Sequence, residues 1–262
     1  MRDIVNSDRN VVNSADNWIK PDWPVPAHVC SLVTTRLGGT SHAPYSSMNL
    51  AQHVSDSEPA VMNNRAILAR AMKLPKSSFC WLQQVHSNKV VRARPQNLGV
   101  EADASYTDES NQACVVMTAD CLPVLLCNES GSMVAAVHAG WRGLANGILS
   151  NALDKFAKTE SVFAWLGPAI GVQNFEVGDE VRQIFCRQFA ANAQAFSLSA
   201  KPGKWYADIY QLARIQLETV GVFGTYGGDF CTYADAEHFY SYRRDGAQSG
   251  RMASMIWLQS QV

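Results

Sequence analysis

A thiol, two imidazoles and a guanidinium stand at the ends of apolar runs in this 262-residue sequence. Cys121, with Asp120 beside it, interrupts TADCLPVLLC (residues 118–127). His138 and Arg142 follow the run VAAV in VAAVHAGWRG (residues 134–143), and His86 closes WLQQVH (residues 81–86). Such runs read as buried strands, and a core has no need of these groups where they end. Two neutral imidazoles and one thiolate suit borderline-soft zinc, and three protein ligands leave a fourth tetrahedral position for water or substrate. His86, Cys121 and His138 are therefore the candidate metal set, and Cys121, His138 and Asp120 the candidate catalytic groups. The same atoms also fit a nucleophilic dyad in which Cys121 attacks an amide carbon, His138 takes its proton, and Asp120 or Gln84 orients the imidazole. That arrangement leaves His86 without a role. For each residue singly, a satisfied buried histidine or an inert core cysteine is the competing reading; Cys114 and Cys127, inside apolar runs, are read that way.

Further candidates surround this set. In HAGWRGLANG, Gly140 and Gly143 would let the backbone approach a ligand, a helix N-terminus would offer free N–H groups, and Arg142 would supply a fork for phosphate or carboxylate. No Gly-Lys-Ser/Thr follows, so the turn is not a P-loop, nor is it a dinucleotide fingerprint. Arg36 in TTRLGG is another strand-end arginine beside two glycines, and Arg65 follows Asn63 and Asn64 in a helix. SYRRDG offers Tyr242 and Arg243. Asp103 in EADASY and Glu176 in NFEVGDE could hold ribose hydroxyls or water, with a turn cap the simpler role for Asp103. A surface salt bridge is the competing reading for each arginine.

Strands and helices must bring these residues together. Period-2 and apolar runs predict strands at 31–36, 79–85, 89–94, 113–117, 124–127, 133–137, around 162–166, and over MASMIWLQ near the C-terminus. Helical spacing predicts a helix over 57–73 with Ser57 as N-cap. A second opens near Trp141 and carries Leu144, Ile148, Ala152 and Phe156; a third covers 179–190, and a fourth runs from the cap Asp208 to before Gly221. Residues 1–20 read as a flexible tail and 21–262 as one α+β domain without regular βαβ alternation.

Composition narrows the function. With 47% hydrophobic and 17% charged residues the chain is an ordinary globular protein. Twenty-two basic against 23 acidic residues give a net charge of −1, which offers nucleic acid no general attraction. No apolar signal core and no run of ~18 apolar residues occurs, so no membrane partner is expected. Seven cysteines, an odd number without a CxxC pair, argue against a disulfide framework or zinc ribbon and for a reducing cytoplasm.

Taken in order, TTRLGGTS, WLQQVHSNKV, ADASYTD, VMTADCLPVLLCN, AAVHAGWRG, WLGPAIG, FEVGDEV, DIYQLAR, GGDFCTY, FYSYRRD and GRMASMIWL closely resemble the YfiH-type purine nucleoside phosphorylase family. Its members have also been described as laccase-like polyphenol oxidases and as a peptidoglycan editing factor. The resemblance runs from Trp23 to Leu258. It implies a single layered α/β/β/α domain with mixed β-sheets and a zinc ion held by His86, Cys121 and His138. It also implies phosphorolysis of adenosine, inosine and methylthioadenosine, and hydrolytic deamination of adenosine. Phosphorolysis needs phosphate held near C1′, for which Arg36, Arg65 and Arg142 are the candidate clamp, with Gln84, Asp103, Glu176 and Arg243 as further substrate-binding candidates. The usual deaminase signature, H-x-E with PCxxC, is absent, so deamination here needs a different constellation. Copper binds such sites more tightly than zinc in the general affinity order, which makes a laccase-like phenol oxidase the alternative, although the six histidines contain no His-x-His pair. A Cys–His hydrolase of an amide or peptidoglycan precursor is another alternative, and a non-enzymatic binding module follows if the three ligands do not converge.

Overall fold

The runs that carry Cys121 and His138 fold as neighbouring antiparallel strands, with Pro123 opposite His138. In the computed structural model, which describes residues 11–12 and 17–260, the strands are β1 (Val11–Val12), β2 (Trp18–Ile19), β3 (Val29–Val33), β4 (Phe79–Cys80), β5 (Val90–Arg92), β6 (Ala104–Thr107), β7 (Ala113–Thr118), β8 (Leu122–Asn128), β9 (Val134–Ala139), β10 (Val162–Leu166), β11 (Glu176–Gly178), β12 (Phe196–Leu198), β13 (Lys204–Ala207), β14 (Gly224–Gly227) and β15 (Met252–Leu258). The helices are α1 (Glu58–Met72), α2 (Trp141–Ala145), α3 (Ile148–Leu153), α4 (Asp179–Gln188), α5 (Ile209–Thr219) and α6 (Tyr242–Asp245). One sheet has the order β1-β2-β3-β15-β7-β4 and a second β14-β10-β8-β9-β6-β5; β11-β13-β12 form a small third sheet. Both large sheets are mixed: β7–β4, β14–β10 and β6–β5 are parallel, and the other pairs antiparallel.

Alternation along the strands decides the layers. On β8, Leu122, Val124 and Leu126 pack with Leu144, Ile148, Leu149, Leu212 and Ala213 of α2, α3 and α5. The residues between them, Leu125 and Cys127, turn the other way and meet Val33, Cys114, Val116 and Ile256 of the first sheet. The first sheet's outer face, with Val115, Met117 and Met255, is covered by Leu68 and Ala69 of α1 and by Met48 and Leu50. The order is thus helix, sheet, sheet, helix. Both central sheets are buried on two faces, which is why their strands read as continuous apolar runs. Each fully buried leucine in these layers contributes roughly 1.5–3 kcal/mol.

Two local departures have simple causes. The helix expected to run from Trp141 to Phe156 is broken into α2 and α3 at Gly147, whose φ of +79° suits glycine and not a helix interior. Trp18 and Ile19 are buried and pair into the first sheet, so the ordered fold begins inside the span read as a tail. The rest of that span, residues 1–10 and 13–16, lies outside the described residues. All seven cysteines are free. Among the described residues no helix is long and apolar enough to cross a membrane.

Candidate active site

His138 shares the strand parity of Val134 and Ala136, which face the first sheet, and so it enters the seam between the two sheets at the end of β9. Cys121 comes to the same place because it immediately precedes β8, the partner of β9. His86 arrives on the loop after β4. The donor atoms of His86, Cys121 and His138 all lie within 4.8 Å of one another, the one such group among the described residues. Cys121 Sγ is 3.6 Å from His86 Nε2, and the two imidazole rings meet edge to face at 4.8 Å between centroids. Ligand bonds of ~2.3 Å to sulfur and ~2.05 Å to nitrogen in a tetrahedral shell put those atoms ~3.6 Å apart. The spacing and donor chemistry therefore fit a single zinc-sized ion.

A buried carboxylate builds this arrangement. Asp103, wholly buried, accepts hydrogen bonds at Oδ1 from the His86 N–H at 2.9 Å and from His138 Nδ1 at 2.7 Å. At Oδ2 it accepts from the Val85 N–H at 3.3 Å, the Ser87 N–H at 2.6 Å and Ser87 Oγ at 2.7 Å. One side chain thus fixes both the His86 turn and the His138 ring, leaving His138 Nε2 for the thiol side. Despite desolvation, the His138 and Ser87 hydrogen bonds hold the Asp103 carboxyl down to about 2. Desolvation would raise the Cys121 thiol, but the His138 charge and hydrogen bonds from both imidazoles bring it to about 6. His138, also against desolvation, is raised to about 9 by Cys121 and Asp103. Burial, then Glu160, pushes the core thiol of Cys127 the opposite way, up to about 12.

The backbone is bent to make room. His86 and Asp120 take left-handed φ values of +59° and +84°, which costs side-chain-bearing residues roughly 1–2 kcal/mol each. A Cβ on Gly140 would stand 2.9 Å from His86 Cδ2 and 3.0 Å from Cys121 Sγ, and one on Gly143 would lie 3.2 Å from the Ser87 carbonyl oxygen. These glycines therefore serve close packing on the His86 turn.

The three donors lie in a pocket of about 520 Å³, a volume suited to a small molecule. Of the residues expected to contact phosphate or substrate, Gln84, Arg142 and Arg243 line it. Gln84 spends its amide on the Met117 backbone, at 2.8 Å to the carbonyl and 2.7 Å from the N–H, so it ties the pocket to β7 and does not orient an imidazole. Arg142 stacks over Trp141 and is exposed. Arg243 donates to the Asn174 and Glu176 carbonyls. Asp120 also lines the pocket, but its oxygens accept from Thr232 Oγ1 at 2.7 Å and the Arg243 N–H at 2.6 Å, which makes it a bracket between loops.

Arg36, Arg65, Asp103 and Glu176 do not line the pocket. Arg36 donates to the Ser46 and Ala236 carbonyls, and Arg65 donates to Leu50 and covers Trp81. Glu176 accepts from Ser199 Oγ and Lys201 Nζ, drawn to partners on the small third sheet's side. Tyr242 lines the pocket as well, and residues not singled out from the sequence join it, among them His53, Ile170, Phe175, Ile209 and Arg251. Arg251 carried one legible signal, its place beside Gly250 immediately before a strand, as Arg36 stands at the end of one near two glycines. The others are brought in by tertiary contact alone.

What fold and site together define is a layered α/β/β/α domain with a three-donor, metal-competent pocket at the seam of its sheets. The family model described as "Multi-copper polyphenol oxidoreductase laccase" matches residues 30–259, and the chain belongs to that family, the YfiH-type proteins. It is 50% identical over 243 residues to a Pseudomonas aeruginosa protein named purine nucleoside phosphorylase PA4543, covering 92% of this chain and 98% of the relative. Escherichia coli K12 purine nucleoside phosphorylase YfiH is 49% identical over the same shares. The crystal structure of Neisseria meningitidis NMB0706, 48% identical, superposes with a TM-score of 0.88 over 93% of this chain and 100% of that one. YlmD from Geobacillus stearothermophilus, 28% identical, also gives 0.88, over 95% and 99%.

Proposed function

We propose that this chain is a zinc-dependent purine nucleoside phosphorylase acting on adenosine, inosine and methylthioadenosine, with adenosine deamination as a second activity. The observation that carries the reading is the convergence of His86, Cys121 and His138 in a nucleoside-sized pocket. The names of the relatives supply the substrate class. Zinc held by the three would supply a Lewis acid to the polar group it faces. Everything else falls to the chain. Asp103 fixes the His138 ring, and Trp141, Ile170, Phe175 and Ile209 offer a purine an apolar wall that excludes water. Arg142 and Arg243 bring positive charge to a reaction in which anionic phosphate attacks. In phosphorolysis a phosphate oxygen bonds to C1′ while the C1′–N9 bond breaks. The electron pair leaves with the purine, which takes up a proton, and the products are ribose 1-phosphate and free base. In deamination water adds at C6 and ammonia leaves, giving inosine. Seven free thiols suit work in a reducing cytoplasm.

The family description favours a second reading, in which the same donors take copper and oxidise phenols. Zinc-loaded enzyme given adenosine and phosphate should yield adenine and ribose 1-phosphate, and without phosphate no ribose 1-phosphate. An oxidase would instead follow copper and ignore phosphate, and a Cys–His hydrolase would survive chelation and die on thiol alkylation. No free base from adenosine, inosine or methylthioadenosine would end the phosphorylase reading.

A further inference from the structure

The pocket has two unlike walls. Ile170, Phe175, Ile209 and Trp141 belong to the apolar layer between the second sheet and its helices. Arg251 and His53 enter from the first sheet's side: Arg251 immediately precedes β15, and its N–H donates to Asn49 Oδ1 at 3.0 Å, at the root of the loop that bears His53. Arg251 is half-buried, yet it joins no ion pair with a carboxylate among the described residues. Its NH1 donates to the Ser249 and Gly250 carbonyls at 2.6 and 2.9 Å, which anchors the guanidinium in one orientation. Its Nε and NH2 have no protein acceptor among the described residues. The nearest acidic neighbour in the pocket, Asp120, has both oxygens engaged by Thr232 and Arg243.

A half-buried, anchored guanidinium with a free edge and no carboxylate paired to it can offer an oxyanion charge-assisted hydrogen bonds. The other pocket arginines differ in exposure: Arg243 also holds two carbonyls through NH1 but is exposed, and Arg142 is exposed on Trp141, whereas Arg251 is half-buried. Partial burial and then the charges of Arg251, Arg65 and His138 push the His53 imidazole below its ordinary range. At neutral pH it therefore stands beside Arg251 as an uncharged hydrogen-bonding ring.

We propose that Arg251, assisted by His53, is the phosphate-binding end of the pocket and holds a phosphate dianion while the purine lies against the Ile170, Phe175 and Ile209 wall. This rests on the phosphorylase reading for its placement in the reaction, but the anion site itself can be tested without turnover. The dianion could be free phosphate or the phosphoryl group of a nucleotide. Calorimetric titration of zinc-loaded protein with inorganic phosphate and, separately, with AMP distinguishes the two sources.

R251Q should weaken binding of the dianion about ten- to a hundredfold by removing charge-assisted hydrogen bonds. With the phosphorylase active, the KM for phosphate should rise by a similar factor and the KM for nucleoside by less than about threefold, since only the anion contact is lost. R251K, which keeps charge without the fork, should fall between wild type and R251Q. H53Q lies on the exposed rim, endangers no packing, and should weaken phosphate about two- to tenfold. Loss in AMP alone assigns the site to a nucleotide's phosphoryl group; loss in inorganic phosphate assigns it to the free anion. Unchanged binding of both ligands to R251Q and H53Q at wild-type zinc content, or a larger loss from R142A than from R251Q, overturns the proposal. Wild-type protein that binds phosphate through Arg251 but forms no ribose 1-phosphate would overturn the phosphorylase reading and leave the anion site standing.

Discussion

Replacing Asp103 by Asn should damage the fold and the metal site together, because the carboxylate serves five donors at once. Asn keeps one acceptor oxygen and points an NH2 group at the donors on the other side. If the oxygen stays with His86 N–H and His138 Nδ1, the partly buried N–H groups of Val85 and Ser87 lose a carboxylate partner, at roughly 1–2 kcal/mol each because water can partly replace it. The proton equilibrium points the same way: a carboxyl held down to about 2 by these hydrogen bonds is worth on the order of 2 kcal/mol. The expected loss is therefore about 2–4 kcal/mol, or roughly 4–16 °C in Tm for a chain of this size. The sign with pH is fixed. Because the folded carboxyl lies below its unfolded value, its contribution is complete above about pH 4 and disappears as pH falls from there through about 2. D103N should lack that acid-dependent step. Zinc affinity should also fall about ten- to a hundredfold, because His138 loses the carboxylate that orients its ring. Thermal unfolding from pH 2 to 7 and zinc competition against a chelator measure both effects. Wild-type Tm and zinc affinity in D103N would show that the Asp103 carboxylate holds neither the turn nor the His138 ring.

Gly140→Ala should leave the backbone relaxed, since φ is −62°, yet push His86 and Cys121 apart; zinc competition should show affinity reduced about tenfold or more. In metal-free protein, alkylation of Cys121 should rise as pH passes through about 6, and a rise only near ~8.5, the ordinary thiol value, would count against the imidazole–thiol pairing. Glu176→Gln should keep metal content intact and KM for nucleoside within about twofold, since its partners Ser199 and Lys201 lie outside the pocket. A large rise in KM would return Glu176 to the site.

Legibility in the sequence followed the range of the interaction. The strand at 162–166 and the start of α5 at Asp208, whose side chain accepts from the Gln211 N–H, are set by local pattern and were readable. The metal-competent triad was readable too, because soft and imidazole donors at the ends of apolar runs have few other reasons to be there. Asp103 was singled out, but not for its role in fixing both histidines: its partners lie 16 to 18 and 35 residues away, and nothing in EADASY announces them. Arginine was the least readable type. A strand-end position sends Arg36 to neighbouring carbonyls and Arg251 into the pocket, and only the tertiary fold separates the two. The small sheet of β11, β12 and β13 also went unread, since its strands are short and half exposed and lack a sustained apolar alternation.

In the proposed function, His86, Cys121 and His138 jointly hold one metal ion on which nucleoside cleavage depends. Metal analysis of wild type and of the H86A, C121A and H138A variants, purified identically and assayed for adenine release from adenosine with phosphate, tests it most directly. Wild type should carry a single zinc per chain and release adenine only with phosphate, and each variant should lose both while circular dichroism still reports a folded chain. Full zinc content with undiminished adenine release in any of the three variants would contradict it.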